Sequence, residues 1–388
     1  MNINKTLEQA NLNYDKENYV LHKKYLEVAL RAIGDSLGID LLGVHPQVCL
    51  KKNNYWLNLP DLNLVYLDTY YRYHLLYGSL SDAYAIRKSI ISAELSLKQQ
   101  NKSFDSIRFC KSLLETIRFY EVFDLISYTP AILSPHMLEF TAIAYNYAGE
   151  HEKAACLRKN FLRSGDDNVF AELISGKEIS IFGPLFDIKS ITSKPSTNDF
   201  IITVNGLSTS SYPFKVNASY YNIRHRENDI DDILLLTQNV DCVSFFWELG
   251  SQIIKSKIYN RNCLVRTMRN PCNIVNNPYV PNMLQNILYD LVWHNARLIK
   301  IYGFNGYCSA KYYQPGYDDS GLAWAPFGMR CHEPFSNFAI VKNLINANMV
   351  VTDRIGDIFK LSSCNYAQKL DLLYRSHTLD SWSHDPQS

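Results

Sequence analysis

The chain has 388 residues, of which 47% are hydrophobic and 20% charged, so it can build folded cores and is not a disordered protein. Its 39 Lys and Arg residues balance 38 Asp and Glu residues, and the net charge of +1 gives no electrostatic reason to expect a nucleic acid or an anionic membrane as partner. The nine cysteines contain no Cys-x-x-Cys pair, which argues against a zinc site or a disulfide framework, and the polar start and the lack of a long apolar run predict a cytoplasmic protein.

Helical periodicity dominates the first part of the chain, and the predicted helices cover residues 19–39, 62–77, 82–98, 103–117, 119–128, 135–148 and 151–163. Gly78 and Gly149, which are 71 residues apart, each separate an aromatic-rich helix from a helix that contains alanine. This pattern is typical of tetratricopeptide-like hairpins, and an ordinary helical bundle with two unrelated glycine turns explains it equally well. Both interpretations predict an all-helical domain over residues 1–170 that acts as a scaffold or docks an acceptor.

Short apolar runs follow, and they predict strands at 178–183, 199–205, 218–223, 240–247, 262–268, 298–304 and 348–353. Helical segments lie between several of them, at 229–239, 248–257, 281–296 and 335–347. Strands that alternate with helices and are apolar on both faces indicate an α/β fold, with a Rossmann-like, mostly parallel sheet in a domain of residues 171–388. Ligands of such sheets bind outside the carboxyl ends of the strands, so the residues after each strand are the candidates for a site.

Glycine-containing turns follow the first two strands. Gly183-Pro184 comes after the first strand, where glycine lets a ligand approach the backbone, and Asn205-Gly206 after the second is a polar turn that suits a nucleotide or a sugar. Neither the Gly-x-Gly-x-x-Gly fingerprint nor a P-loop occurs, so NAD and ATP lack their usual support.

The region after the sixth strand combines a polar turn, a long loop and a histidine. Asn305 and Tyr307 open a loop rich in Tyr, Gly and Asp, and a loop of this length in a compact domain is usually functional. His332 then lies just before a helix whose first residues include Ser336 and Asn337, which suit a cap or an anion site. Histidines are more often structural than catalytic, but this one stands where the mouth of the sheet is expected. The acidic run at 229–232 is better explained as a helix start than as a metal site.

Taken in order, these elements resemble the sialyltransferase superfamily of CMP-sugar glycosyltransferases, which includes bacterial sialyltransferases and Kdo transferases. The resemblance covers about residues 178–365. It rests on the first strand and its loop at 181–184, the second strand ending in Asn at 200–205, the Tyr-Gly-Phe strand end at 301–304, and His332 before a helix.

The resemblance implies a metal-independent glycosyltransferase without a cofactor, which transfers sialic acid or Kdo from a CMP-activated donor to a glycan in bacterial surface polysaccharide or lipopolysaccharide synthesis. His332 is then the acid or base, and a lipid-linked acceptor would place the protein at the periphery of the inner membrane. The residues expected to bind the donor are Gly183, Pro184, Asn205, Gly206, Gly303, Phe304, Asn305, Tyr307, Tyr312, Tyr313, Ser336 and Asn337.

Three questions stay open at this stage. Ser336 stands where vertebrate-type members have a glutamate, so Kdo fits as a donor as well as sialic acid does. A retaining reaction would need a carboxylate nucleophile, for which Asp187 is the candidate and Asp241 and Glu248 are weaker ones. The rival hypothesis is a helical-repeat interaction protein, with a protein partner for its helices and a degenerate, non-catalytic nucleotide-binding module.

Overall fold

The computed structural model describes most of the chain, namely residues 2–16, 18–46, 49, 62–99, 112–113, 115–116, 121–123, 135–159, 165–186, 199–204, 214–221, 230–246, 248–257, 263–268, 282–308 and 325–381. Within these ranges, no helix combines the length and the apolar character needed to cross a membrane.

The centre of the fold is a seven-stranded sheet in which every pairing is parallel. Its strands are β1 (Glu178–Phe182), β2 (Phe200–Val204), β3 (Ala218–Tyr221), β4 (Cys242–Phe245), β5 (Leu264–Thr267), β6 (Leu298–Tyr302) and β7 (Val350–Thr352). They lie in the order β5-β4-β3-β2-β1-β6-β7, and Ile181 pairs with Ile202 of β2 and with Ile301 of β6. The predicted α/β fold is confirmed, and each predicted strand is present.

Helices precede the sheet and alternate with its strands. In the described residues they are α1 (Ile3–Asp15), α2 (Tyr19–Leu37), α3 (Leu62–Tyr77), α4 (Leu80–Gln99), α5 (Pro135–Tyr147), α6 (His151–Lys159), α7 (Gly165–Ile174), α8 (Ile230–Thr237), α9 (Glu248–Lys257), α10 (Met283–Trp293), α11 (Ala325–Cys331), α12 (Pro334–Asn346) and α13 (Ser363–Tyr374), with 3₁₀ helices at Ile355–Lys360 and Leu379–Ser381. Helix α8 begins within the acidic run, as predicted. Most of the predicted helices at 103–117 and 119–128 lies outside the described residues.

The chain divides into two compact units that are each discontinuous in sequence. The helical unit contains Met1–Ser112, Ala323–Phe335 and Leu361–Ser388, and the sheet unit contains Leu113–Leu322 and Ser336–Lys360. This division differs from a boundary at residue 170, because helices α5 to α7 group with the sheet and α13 groups with the N-terminal helices. The predicted pair of domains, 1–170 and 171–388, stays a prediction about which segments fold independently.

A buried arginine joins three helices of the helical unit. Arg330 of α11 donates to the main-chain carbonyls of Leu75 and Gly78 at the end of α3, and to those of Tyr374 and His377 at the end of α13. Burial lowers the pKa of Arg330 to about 10, so the side chain is still a cation at neutral pH. A cation is favourable at helix C-termini, where carbonyls lack helical partners.

A second buried arginine organises the sheet unit. Arg266 of β5 makes two hydrogen bonds to Asp290 of α10, at 2.6 and 2.9 Å, and one to Asp167 of α7 at 2.9 Å. Tyr220 of β3 donates to the same Asp290 carboxylate at 2.7 Å. Burial alone would raise the pKa of Asp290, but the charge of Arg266 outweighs it and holds that pKa below the usual range. Strands and helices on this face of the sheet are therefore joined by one paired charge network.

Candidate functional site

The strand order of the sheet changes direction between β1 and β6. After β1 the chain adds β2 to β5 on one side, and it then adds β6 and β7 on the other side. The connections on the two sides of such a point run in opposite directions, which leaves a crevice at the carboxyl ends of the two central strands. The turns that follow Phe182 and Tyr302 therefore border the expected ligand crevice. We call the region formed by these two turns the switch point.

The turn after β1 is built against the end of β6. The N–H of Gly183 donates to the carbonyl of Tyr302 at 2.8 Å, and the N–H of Phe186 donates to the Gly183 carbonyl at 3.1 Å, which closes the turn around Pro184. A Cβ atom at Gly183 would lie 2.6 Å from the ring of Phe304. Glycine is needed here because any side chain would have to displace that ring.

The loop after β6 approaches the first turn even more closely. Gly303 has a φ of +72°, and a Cβ atom there would lie 2.3 Å from the backbone nitrogen of Phe186. The N–H of Leu185 donates to the Gly303 carbonyl at 3.2 Å. The left-handed conformation and the backbone contact each require glycine, so the two loops form one interlocked structure.

The next residues of this loop, Asn305 to Tyr307, are held in a tight turn. Asn305 accepts a hydrogen bond from the Tyr307 N–H through Oδ1 at 3.0 Å, and its carbonyl accepts one from Cys308 at 3.0 Å. Tyr307 has a φ of 64°, a left-handed conformation that costs a non-glycine residue about 1–2 kcal/mol. Such strain persists where the surroundings fix the backbone, and it often marks a functional site. Asn305 and Tyr307 are both half-buried.

An aspartate that the sequence analysis did not single out braces this loop. Asp353 directly follows β7, and its Oδ2 accepts from the N–H of Gly303 at 2.9 Å while its Oδ1 accepts from the N–H of Gly356 at 3.0 Å. Burial raises the pKa of Asp353, and Asp357 adds to this, although hydrogen bonds from the backbone favour the ionised form. The available signal was a carboxylate at the last position of a predicted strand.

Aromatic rings cluster where β1 and β6 end. The rings of Phe182 and Tyr302 stack with centroids 5.0 Å apart at 14°, and Phe214 stacks on Phe182 at 5.2 Å. Phe186 packs on Phe182 at 4.4 Å. Burial raises the pKa of Tyr302, so its phenol stays neutral at physiological pH. The ends of the two central strands are thus packed with uncharged aromatic rings next to the paired loops.

His332 lies just before helix α12, as the sequence predicted, and it directly follows helix α11, which was not predicted. Its N–H donates to the carbonyl of Gly328 in α11 at 3.1 Å, and α12 begins two residues later at Pro334. The side chain is half-buried, and the residue belongs to the helical unit. Its role as an acid or base stays a prediction.

Ser336 and Asn337 belong to the sheet unit and lie in the first turn of α12. Both side chains are buried, and the Ser336 hydroxyl donates to a carboxylate oxygen of Glu115 at 3.3 Å. This bond gives Ser336 a structural partner, and binding of the donor by these two residues stays a prediction.

Asp241 directly precedes β4 and therefore lies at the amino ends of the strands, whereas the switch point lies at their carboxyl ends. Lys215 Nζ donates to Asp241 at 2.7 Å and Asn217 Nδ2 at 3.0 Å. Burial alone would raise the pKa of Asp241, but these two hydrogen bonds lower it below the usual range. A reacting sugar is expected at the carboxyl ends of the strands, so this position argues against a nucleophilic role for Asp241.

Several predicted site residues lie outside the described residues, namely Asp187, Asn205, Gly206, Tyr312 and Tyr313. The side chain of Glu248, the first residue of α9, also lies outside them. In the part of the chain that the structure describes, no group of three or more His, Cys, Asp or Glu side chains is placed to hold a metal ion.

Comparisons with known proteins found no family model that matches the chain, and no curated protein or solved structure that matches it. The functional argument therefore rests on the residues of this chain and on their arrangement.

Proposed function

We propose that the protein is a glycosyltransferase that transfers a 3-deoxy-ulosonic acid, sialic acid or Kdo, from a CMP-activated donor to a glycan acceptor in bacterial surface polysaccharide synthesis. The supporting observation is the position of two separately predicted donor loops. Gly183-Pro184 and Gly303-Phe304 flank the point where the strand order reverses, and backbone hydrogen bonds join them there.

The turn at Asn305 supports this proposal, because it presents a polar, partly exposed edge. It lies beside two loops whose glycines let them pack closely on each other. A nucleotide donor needs such an edge for its ribose and phosphate, while its base needs an apolar contact. At the ends of the same strands, the ring of Tyr302 is half-buried, whereas that of Phe182 is buried in the core.

The proposed reaction needs two further functions from the protein. The developing charge on the CMP phosphate must be stabilised, and an inverting transfer needs a base for the acceptor hydroxyl. We assign the second function to His332, since an unperturbed imidazole titrates near neutral pH. Asp187 is the candidate nucleophile for a retaining transfer.

The helical residues 1–170 are proposed to dock the acceptor, and they are proposed to be tetratricopeptide-like. Two helical hairpins support this: α3 packs on α4 with Gly78 between them, and α5 packs on α6 with Gly149 between them. Gly149 has a φ of 77°, which explains a glycine at that turn.

A nucleotide panel tests the proposal. Thermal unfolding of the full chain is measured with CMP, CDP, UDP, GDP, ADP and NAD, because a ligand at about 100 times its dissociation constant adds about 2.7 kcal/mol to the free energy of unfolding. Stabilisation by the cytidine nucleotides alone is expected. Stabilisation by another nucleotide would reject the donor class, and no stabilisation by any of them would favour the interaction-protein hypothesis.

Turnover tests the role of His332. Release of CMP from CMP-sialic acid and CMP-Kdo, with a glycan acceptor, is expected to be lost in His332→Ala while CMP binding and thermal stability are kept. His377→Ala is the matched control, because His377 is also a half-buried histidine of the helical unit. Full turnover in His332→Ala would remove this residue from the mechanism.

A further inference from the structure

The carboxylate of Asp353 makes contacts that a neutral side chain of the same shape cannot make. Its two oxygens accept from the backbone of two different turns, from the N–H of Gly303 in the β6 loop and from the N–H groups of Gly356 and Ile355 in the turn that follows β7. An asparagine has one acceptor oxygen and one NH₂ donor, so it could accept from only one of these turns. The bridge between the two turns therefore requires an ionised aspartate.

The N–H group of Gly303, which donates to Asp353, lies where the β6 loop meets the β1 turn. Gly303 is the left-handed residue whose carbonyl accepts from Leu185 in the β1 turn. A carboxylate on its N–H fixes the peptide plane before Gly303, while the Leu185 hydrogen bond fixes the plane after it. With both planes fixed, the path of the loop toward Asn305 is determined.

We propose that Asp353 is a positioning residue, whose carboxylate holds the β6 loop in the conformation that binds the nucleotide of the donor. This inference rests on the proposed function and adds a form of regulation to it. Protonation turns one carboxyl oxygen into a donor, which ends its hydrogen bond to a backbone N–H, so acid is expected to release the loop and weaken nucleotide binding.

The surroundings of Asp353 determine the pH at which its carboxylate becomes protonated. Tyr302 on β6 and Asp357 on the 3₁₀ helix are the titratable groups that face it among the described residues, and Arg354 beside it is exposed. Burial raises the pKa of the Asp353 carboxyl above that of an ordinary aspartate, and the neighbouring Asp357 adds to this. Loss of nucleotide binding should therefore begin at a higher pH than an exposed carboxyl would allow.

The test compares wild type, Asp353→Asn and Asp357→Asn in the full chain. Asp357 is the matched control, since its exposed carboxylate lies one turn away and pairs with Lys360 at 2.5 Å. Hydrogen exchange without ligand measures the order of the loop directly. The segment 298–308 should exchange faster in Asp353→Asn and remain as in wild type in Asp357→Asn. Unchanged exchange in β1 shows that the variant is folded.

Calorimetric titration with CMP supplies the second readout. Asp353→Asn is expected to bind CMP about tenfold more weakly near neutral pH, because it loses one charge-assisted hydrogen bond that orders the loop. The phosphate of CMP also titrates near pH 6, so the ratio of the two affinities is the quantity to follow. That ratio should approach one in acid, where the wild-type carboxyl is also neutral.

The outcomes separate this inference from the proposed function. If wild type binds CMP and Asp353→Asn matches it in affinity, pH profile and loop exchange, the positioning role is wrong and the proposed function is untouched. If wild type does not bind CMP but the loop of Asp353→Asn exchanges faster, the nucleotide assignment is wrong and the effect of Asp353 on the loop is supported.

Discussion

Replacement of Gly303 by alanine should be far more damaging than the same change at a glycine with the same backbone conformation. Gly303 and Gly176 both have a φ of +72°, and alanine in this region costs about 1–2 kcal/mol. A Cβ atom at Gly303 would lie 2.3 Å from the backbone nitrogen of Phe186, whereas nothing lies within 4 Å of a Cβ atom at Gly176. The second site therefore measures the conformational cost alone.

The additional cost at Gly303 follows from what must move. The obstructing atom belongs to the backbone, so the β1 turn itself has to shift, and overpacking of this kind costs about 1–3 kcal/mol. The same nitrogen donates the hydrogen bond to Gly183 that closes the turn, and its loss adds about 1 kcal/mol. Gly303→Ala should thus lose about 2–4 kcal/mol more free energy of unfolding than Gly176→Ala.

Urea unfolding of both variants measures this difference, and titration with CMP measures its effect on the switch point. Gly176→Ala is expected to keep the CMP affinity of wild type, whereas Gly303→Ala should lose it, because the shifted turn alters both loops. Stabilities of the two variants that agree within about 0.5 kcal/mol would refute the argument, since this is the error expected for independent sites.

Three further variants test the two buried arginines, and a fourth, at an exposed lysine, serves as a comparison. Arg266→Met should lose about 3–5 kcal/mol of stability because it leaves Asp290 buried without its cation, and Arg266→Met with Asp290→Leu should regain most of that loss in urea titrations. The pKa of Asp290 is held low in the folded protein. Its ionised form therefore stabilises the fold above the ordinary aspartate pKa, and this contribution is lost as the pH falls through the folded value. The difference in Tm between wild type and Arg266→Met should shrink in acid for this reason. Arg330→Met should lose more than about 3 kcal/mol of the free energy of unfolding, because four carbonyls lose their hydrogen-bond donor. Lys255→Met removes only an exposed ion pair with Asp166 and should lose less than about 1 kcal/mol in the same thermal scans.

The strands and the glycine turns could be predicted from the sequence, but the order of the strands in the sheet could not. Short runs such as 178–182 and 298–302 are apolar enough to be recognised as buried strands. That these two runs are neighbours depends on how the chain crosses the sheet, and no local pattern encodes this. Gly183 and Gly303 could be identified because they lie at the ends of predicted strands, and the structure shows that both lie at the switch point.

Charged residues inside the fold were harder to predict. Arg266 lies within a predicted strand, where a single charge normally indicates a solvent-facing position, yet it is fully buried. Its partners Asp167 and Asp290 are far away in sequence and lie on two different helices. Asp353 was missed because an aspartate after a short strand is usually a turn residue. Each of these roles depends on tertiary partners, which periodicity and composition do not reveal.

Two carboxylates of the sheet unit, the buried Asp290 and the half-buried Asp353, show how differently a charge can be used. Asp290 has Arg266 beside it, its pKa is lowered, and its ionised form stabilises the fold. For Asp353 the pKa is raised by burial, and the neighbouring Asp357 adds to this. A carboxyl with a raised folded pKa contributes stability below the unfolded pKa and loses it as the pH rises through the folded value, so ionised Asp353 destabilises the protein at neutral pH. The aspartate is explained by the two turns that its carboxylate bridges, because a neutral side chain of the same shape cannot accept from both.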